Sequence, residues 1–146
     1  MKPILGVDLG QARIGLAISD ELRMLAHPLE TIPADKQAVG RIVQIAREKE
    51  AECVVVGVPK TMSGQMGTAA NQALVVVGKL RAALSCPVVT WDERLTTVAA
   101  HRALRDAGKK TRETRGYVDQ VAAQMILQGY LDQKQMMNAS EDELPD

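Results

Sequence analysis

The chain has 146 residues, of which 46% are hydrophobic, and it carries 18 basic and 18 acidic side chains. This length and composition predict one domain with one substantial core and argue against a second independent domain. No apolar run approaches the roughly 20 residues that span a bilayer, and Met1-Lys2-Pro3 leads into a strand without the apolar segment of a signal peptide. We therefore expect a cytoplasmic protein with no membrane partner.

The first part of the chain contains four predicted strands and one helix. Strands over 4–9 and 14–19 are joined by a link of hairpin length. A third, short strand over 27–32 precedes a helix for which Asp35 would be the N-cap or a first-turn acid. The continuous β-branched run at 53–58 predicts a strand that is covered on both faces.

The second part alternates helices with one more strand. Helical spacing of apolar residues predicts a helix over 68–84, and a strand follows at 87–91. Two further helices are predicted over 98–107 and 116–132. The order of elements predicts an α/β fold with a central mixed five-stranded sheet flanked by helices. We place this domain at 1–133 and expect 134–146 to be a disordered acidic tail.

Three acids are candidates for one site. Asp8 closes the first strand between apolar neighbours, where a charged carboxylate is costly unless a cation or a donor meets it. Glu93 follows the last strand, and Asp119 lies in the first turn of the last helix, whose Ala122 would allow close approach to the sheet. Taken singly, Asp119 could be a helix-start acid and Glu93 part of a polar strand end.

A hard divalent cation would remove the repulsion between three such carboxylates, and oxygen ligands favour Mg²⁺ or Mn²⁺. Such ions can activate water for an in-line attack on a phosphate. The acids therefore predict a metal-dependent nuclease.

Basic residues near these acids are candidates for phosphate binding. The last eight residues hold four acids and no base, which leaves 18 bases and 14 acids in the rest of the chain. The alternative for the basic stretch before the last helix is a solvated loop. The predicted substrate-binding residues are Arg13, Lys60, Gly64, Arg94, Lys109, Lys110, Arg112 and Arg115. The scarcity of aromatic residues argues against binding by stacking of bases.

Several motifs in order resemble those of the YqgF family, also called RuvX or pre-16S ribosomal RNA nucleases, in the RNase H-like superfamily. The resemblance runs from about Ile4 to Leu131. It rests on Gly6–Gly10, Arg13–Ala17, Val56–Pro59 with Ser63-Gly64, Asp92–Thr97, and Val118-Asp119 with Ala122-Ala123.

This resemblance implies an RNase H-like fold and a cytoplasmic nuclease that trims the 5′ end of precursor 16S ribosomal RNA. It implies Asp8, Glu93 and Asp119 as catalytic residues and as ligands of Mg²⁺ or Mn²⁺. The related RuvC resolvases use a fourth acid on the last helix, and Ala122 stands at that place here. The implied partners are RNA and ribosomal particles. The oligomeric state stays open between a monomer and a weak homodimer.

Alternative functions stay open at this point. One is a Holliday junction resolvase that acts on branched DNA, because a phosphate-directed site distinguishes neither bases nor the 2′-hydroxyl. Another is a ribosome-assembly factor that binds RNA without cleaving it. A kinase-like ATPase is disfavoured because one domain of this size lacks the second wall of such a nucleotide site.

Overall fold

The computed structural model describes residues 1–59, 67–95 and 112–143, and for 112–119 and 139–143 it describes the backbone alone. Five strands in these residues form one sheet. Their bounds are Ile4–Leu9 (β1), Arg13–Ser19 (β2), Ala26–Pro33 (β3), Cys53–Val58 (β4) and Val88–Asp92 (β5). The spatial order is β3-β2-β1-β4-β5. The predicted mixed five-stranded sheet is confirmed.

The sheet combines a hairpin region with a parallel region. Strand β2 is antiparallel to both β1 and β3, whereas β4 is parallel to both β1 and β5. The turn between β1 and β2 requires a glycine, because a Cβ on Gly10 would collide with the carbonyl oxygen of Arg13. The carboxyl ends of β1, β4 and β5 meet at one side of the sheet, which we call the carboxyl edge.

Three helices and one short 3₁₀ turn accompany the sheet in the described residues. Helix α1 spans Ala38–Glu48, α2 spans Thr68–Ala83, and α3 spans Arg112–Glu143, while the 3₁₀ turn spans Glu93–Leu95. Helix α1 starts later than the sequence predicts, because a carboxylate oxygen of Asp35 accepts the N–H of Gln37 in a turn before the helix. The predicted helix over 98–107 lies outside the described residues. None of the described helices has the length and apolarity needed to cross a membrane.

Helix α3 is longer at both ends than the predicted range of 116–132. Its last turns, up to Glu143, belong to the segment for which the sequence predicts a disordered tail. These turns contain glutamine, lysine, methionine and alanine, which are good helix formers. At the other end the helix includes Arg112 and Arg115, which were predicted to lie in a basic loop.

The two faces of the sheet carry separate cores. On one face, which we call the helix-pair face, Leu5, Val7, Val54 and Val56 pack against α1 and α2. The opposite face, the α3 face, packs Ile4, Cys53, Val55 and Trp91 against one helix, α3. Alternation along each strand produces this division, since successive side chains point to opposite faces.

Small residues bring α3 close to the sheet. A Cβ on Gly6 would lie 2.8 Å from Cβ of Leu127 and 3.2 Å from the carbonyl oxygen of Ala123. Leu131 lines a cavity together with Ile4, at the start of β1. Positions 131, 127 and 123 therefore follow β1 from its start toward its carboxyl end, and α3 runs antiparallel to β1.

Candidate active site

Two of the three predicted acids are buried at the carboxyl edge. Asp8 is the fifth residue of β1, and Glu93 opens the 3₁₀ turn that follows β5. Their relative exposures are 0% and 2%. Gly6 faces α3, so strand alternation places Asp8 on the α3 face as well.

Gly57 on β4 connects the surroundings of these two acids. The sheet register pairs Val7 with Val56 and Gly57 with Trp91, so one further step along β1 places Asp8 beside Gly57. A Cβ on Gly57 would lie 2.7 Å from Oε1 of Glu93. The Glu93 carboxylate therefore lies over the strand next to Asp8. Because neighbouring strands are about 4.8 Å apart, the two carboxylates face one small space.

The third predicted acid, Asp119, lies in α3, one helical turn before Ala123. One turn is about 5.4 Å, which corresponds to roughly two residues of the antiparallel strand β1, from Gly6 to Asp8. The backbone thus places position 119 above the end of β1 that carries Asp8. The Asp119 side chain is outside the described set, and its participation stays a prediction. Among the side chains that are described, no group of three potential metal ligands occurs.

Arg94, predicted to bind substrate, is engaged with a neighbouring acid. Its guanidinium donates Nε–H to both carboxylate oxygens of Asp92, and the second nitrogen lies 2.6 Å from Oδ2. This hydrogen bond raises the pKa of Arg94 above its ordinary value. The backbone N–H of Arg94 also donates to Oδ1 of Asp92, at 3.0 Å. Asp92 and Arg94 therefore bracket Glu93 and shape the turn that carries it.

Arg13 begins β2 at the same end of the sheet as Asp8. Gly15, two residues further along β2, pairs with Asp8. Alternation then places Arg13 on the α3 face, the face of the two acids. This position is consistent with the predicted role of Arg13 in binding phosphate, which stays a prediction.

The other predicted phosphate ligands cannot be located by their side chains. Lys60, Gly64, Lys109 and Lys110 lie outside the described residues. Arg112 and Arg115 belong to the first turns of α3, but only their backbone is described. Their roles stay predictions.

Some residues that shape the site escaped the reasoning from sequence. The sequence indicates Gly57 only as part of the strand over 53–58 and of the motif Val56–Pro59, although its bare backbone lies under the Glu93 carboxylate. Gln124 and Gln128 were not singled out, yet both tie α3 to β3. The N–H of Ala26 donates to Gln128, and Gln124 donates to the carbonyl of Ala26. The sequence did contain a signal, because these two glutamines stand four residues apart next to the apolar residues of the inner face of the helix.

A family model described as "RuvX: Holliday junction resolvase" matches residues 2–133. The chain belongs to the RuvX family. The family membership predicted from the motifs is thereby confirmed.

Curated relatives of this RuvX chain have the name "Putative pre-16S rRNA nuclease". The protein from Chloroflexus aurantiacus is 44% identical over 144 residues, which cover 97% of this chain and 94% of the relative. The protein from Nocardia farcinica is 45% identical over 139 residues, covering 89% and 77% respectively.

Solved structures share the fold of this RuvX chain at lower sequence identity. RuvC of Thermus thermophilus, in complex with a Holliday junction, matches with a TM-score of 0.55 and 19% identity, over 92% of this chain and 96% of that one. The fowlpox virus Holliday junction resolvase matches with a TM-score of 0.52 and 13% identity, over 90% and 99%. These similarities confirm the predicted RNase H-like fold.

Proposed function

We propose that this RuvX chain is a divalent-metal-dependent nuclease that trims the 5′ end of precursor 16S ribosomal RNA. The observation that carries the proposal is the placement of two fully buried carboxylates, Asp8 and Glu93, around one space at the carboxyl edge. Two acids withdrawn from water in this way repel each other, and their desolvation costs stability. A bound cation would offset this cost, which is why we assign the two acids to a metal site.

The donors fit a hard cation. Both described acids offer carboxylate oxygens, which are the ligands that Mg²⁺ and Mn²⁺ prefer. The bare backbone of Gly57 leaves space beside them that a Cβ would fill. Asp8 and Glu93 would hold the metal, with Asp119 as the third carboxylate because its helix position lies above Asp8. When bound, the metal would lower the pKa of a water molecule and stabilise charge on the attacked phosphate.

A fourth acid is absent at the position where RuvC-type sites carry one. Ala122 is fully buried in the apolar cluster under α3 and offers no ligand. We therefore propose a site in which three carboxylates serve the metal. Its affinity for a second ion should be lower than for the first, because fewer charged oxygens remain to bind it.

Basic residues around the carboxyl edge would bind the phosphates of the substrate. Arg13 has a suitable position on the α3 face. Lys60, Gly64, Lys109, Lys110, Arg112 and Arg115 are proposed to bind the flanking backbone. The role of Arg94 requires that a phosphate compete with Asp92 for its guanidinium. Contacts of this kind make binding weaken as salt rises.

The names of the relatives support RNA as the substrate. Proteins that share 44% to 47% identity with this chain over most of its length are named for the precursor of 16S ribosomal RNA. Action on this precursor would place the protein in the cytoplasm, with ribosomal particles as partners. The second candidate is cleavage of four-way DNA junctions, which the description of the family and the likeness to RuvC favour.

A cleavage assay tests the proposal. Precursor 16S ribosomal RNA with an extended 5′ end and a four-way DNA junction are incubated separately with the protein and Mg²⁺ or Mn²⁺. We expect cleavage of the RNA, and a loss of at least about 10–100-fold in the Asp8→Asn variant, because this change removes a charge that holds the metal and loss of a ligand's support alone costs that much.

Each other outcome identifies a different function. Cleavage of the junction alone would support the resolvase. Binding of RNA without metal and without cleavage would support an assembly factor. Undiminished cleavage by Asp8→Asn would refute the proposed site, and Asp20→Asn provides a control at an acid that binds turn N–H groups far from the carboxyl edge.

A further inference from the structure

We infer that Gly57 is a positioning residue of the metal site, because its missing side chain is the space in which the Glu93 carboxylate lies. This inference rests on the proposed role of Asp8 and Glu93 in binding metal. If it is correct, the metal site requires Gly57 in addition to its acidic and basic residues.

The contacts around Gly57 are tight on the α3 face. A Cβ at this position would lie 2.7 Å from Oε1 of Glu93 and 3.1 Å from Cγ1 of Ile126, and it would collide with Cδ1 of Ile126. Real Cβ atoms essentially never approach other heavy atoms within 3.0 Å. A side chain at position 57 and the present position of the Glu93 carboxylate therefore exclude each other.

The rest of the strand shows that this space is local. Cys53 and Val55 precede Gly57 on the same face of β4, and both contribute side chains to the core under α3. At Gly57 the strand stops filling the gap between sheet and helix. The register places this position between Asp8 on β1 and Trp91 on β5, and Trp91 is two residues before Glu93. The backbone of Gly57, which carries no side chain, thus lies between the two carboxylates.

The atoms that a Cβ would meet decide what the substitution does. Cδ1 of Ile126 and Oε1 of Glu93 are both far ends of flexible side chains, so each can turn away without a shift of the backbone. Gly57→Ala should therefore leave the fold largely intact and move the carboxylate. At Gly6 the atoms met are Cβ of Leu127 and a backbone oxygen, which cannot yield without displacing α3.

The test measures binding of Mn²⁺ by calorimetry and thermal unfolding of the metal-free full chain. We expect Gly57→Ala to weaken Mn²⁺ binding about 10–100-fold, the range found when the support of a ligand is lost, while unfolding cooperatively near the wild-type temperature. The matched control is Gly78→Ala, because a Cβ there meets nothing within 4 Å. Gly6→Ala should lower the unfolding temperature more than Gly57→Ala does.

Two double variants separate the contact with Glu93 from the contact with Ile126. Gly57→Ala with Ile126→Val removes the colliding Cδ1 and so relieves that contact, but it should not recover Mn²⁺ affinity. Gly57→Ala with Glu93→Asp shortens the acid and should bind Mn²⁺ more tightly than Gly57→Ala alone. Recovery of affinity by Ile126→Val would overturn the inference, since Gly57 would then serve only the packing of α3.

The inference and the proposed function fail in different ways. Wild-type Mn²⁺ affinity in Gly57→Ala, together with its loss in Asp8→Asn, would overturn the role of Gly57 and leave the metal site standing. Absence of Mn²⁺ binding in the wild type, or unchanged binding in Asp8→Asn, would overturn the proposed metal site and the inference with it.

Discussion

The two faces of the sheet differ in the side chains that β1 and β4 present on them. On the helix-pair face, β1 and β4 present large aliphatic side chains such as Leu5, Val7 and Val56, and the core there is continuous. On the α3 face the same strands begin with Ile4 and Cys53 but end with Asp8 and Gly57. One face thus stabilises the fold, while the carboxyl edge of the other face leaves space for chemistry.

This difference teaches that the site and the core need not compete. Burial of aliphatic side chains on the helix-pair face compensates for the acids and glycines on the α3 face, where packing ends early. Substitutions should therefore separate into those that reduce stability and those that reduce metal binding. The following predictions test that separation.

The largest loss of stability is expected on the helix-pair face. Leu5 is fully buried there, and Leu5→Ala should lower the free energy of unfolding by about 2–5 kcal/mol through lost burial and a cavity. Urea denaturation measures this change. The folded Leu5→Ala protein should bind Mn²⁺ as the wild type does, and reduced affinity at full folding would contradict the separation. Leu22→Ala is the control, because Leu22 is 67% exposed and should cost less than about 0.5 kcal/mol.

A smaller loss of stability is expected on the α3 face at the end opposite to the carboxyl edge, where side chains fill the space under α3. The N–H of Ile4 donates to the hydroxyl oxygen of buried Ser19 at 2.8 Å. Ser19→Ala removes the acceptor and leaves a buried N–H without it, so unfolding should become easier by about 1–3 kcal/mol. Thermal unfolding measures the change, with the exposed Ser85→Ala as control. Equal stabilities of the two variants would show that this hydrogen bond contributes nothing.

The hydrogen bonds between α3 and β3 should contribute less to stability than the hydrogen bond of Ser19 does. Gln128 accepts the N–H of Ala26 at 2.8 Å and donates to the carbonyl of Met24 at 2.9 Å. Gln128→Met keeps the size of the side chain and removes both of these hydrogen bonds, together with the one that Gln128 donates to Asp132 within α3, at a cost of about 1 kcal/mol. The exposed Gln72→Met is the matched control. If both variants unfold alike in urea, the hydrogen bonds of Gln128 contribute nothing to holding α3 against β3.

The smallest effect is expected from two weak acids that lie far from the carboxyl edge, Tyr130 on α3 and Cys53 at the start of β4. Burial raises the pKa of Tyr130 to about 12, and a hydrogen bond with Cys53 contributes. Burial likewise raises the pKa of the Cys53 thiol above 9.0. The unfolded chain releases these protons at lower pH than the folded chain, so their contribution is complete below about pH 9 and is lost as pH rises toward 12.

Tyr130→Phe should consequently show a shallower loss of stability than the wild type over this alkaline range. Urea denaturation at several pH values between about 8 and 10.5 measures the two slopes. Parallel slopes would mean that Tyr130 ionises equally easily in both states. Mn²⁺ binding near neutral pH should be the same in both proteins, since Tyr130 lies on the part of α3 next to Cys53.

Much of the fold could be predicted from local patterns. Strand β4 was predicted with its observed bounds, because an unbroken β-branched run has few alternatives as a buried strand. The ends of the helices were less accurate. Asp35 starts a turn and not the helix, and α3 continues beyond Asp132, because the last turns depend on weak propensities and on contacts with distant residues.

The candidate site was only partly predictable. Asp8 and Glu93 could be selected because polar residues at strand ends contrast with their apolar neighbours. The structure buries both, and their role in a site stays a prediction. The engagement of Arg94 with Asp92 could not be predicted, since either a phosphate or a carboxylate satisfies a guanidinium. The position of the Asp119 side chain stays a prediction.

The amino-acid sequence by itself determined the order of the elements, the alternation of the strands and the candidate acids, because each of these follows from near neighbours along the chain. Only the tertiary structure decided that Gly57 lies against Glu93 and Ile126, and that Gly6 lies against Ala123 and Leu127. Such contacts join residues far apart in sequence. They depend on how closely a helix approaches a sheet, and a local pattern does not specify that distance.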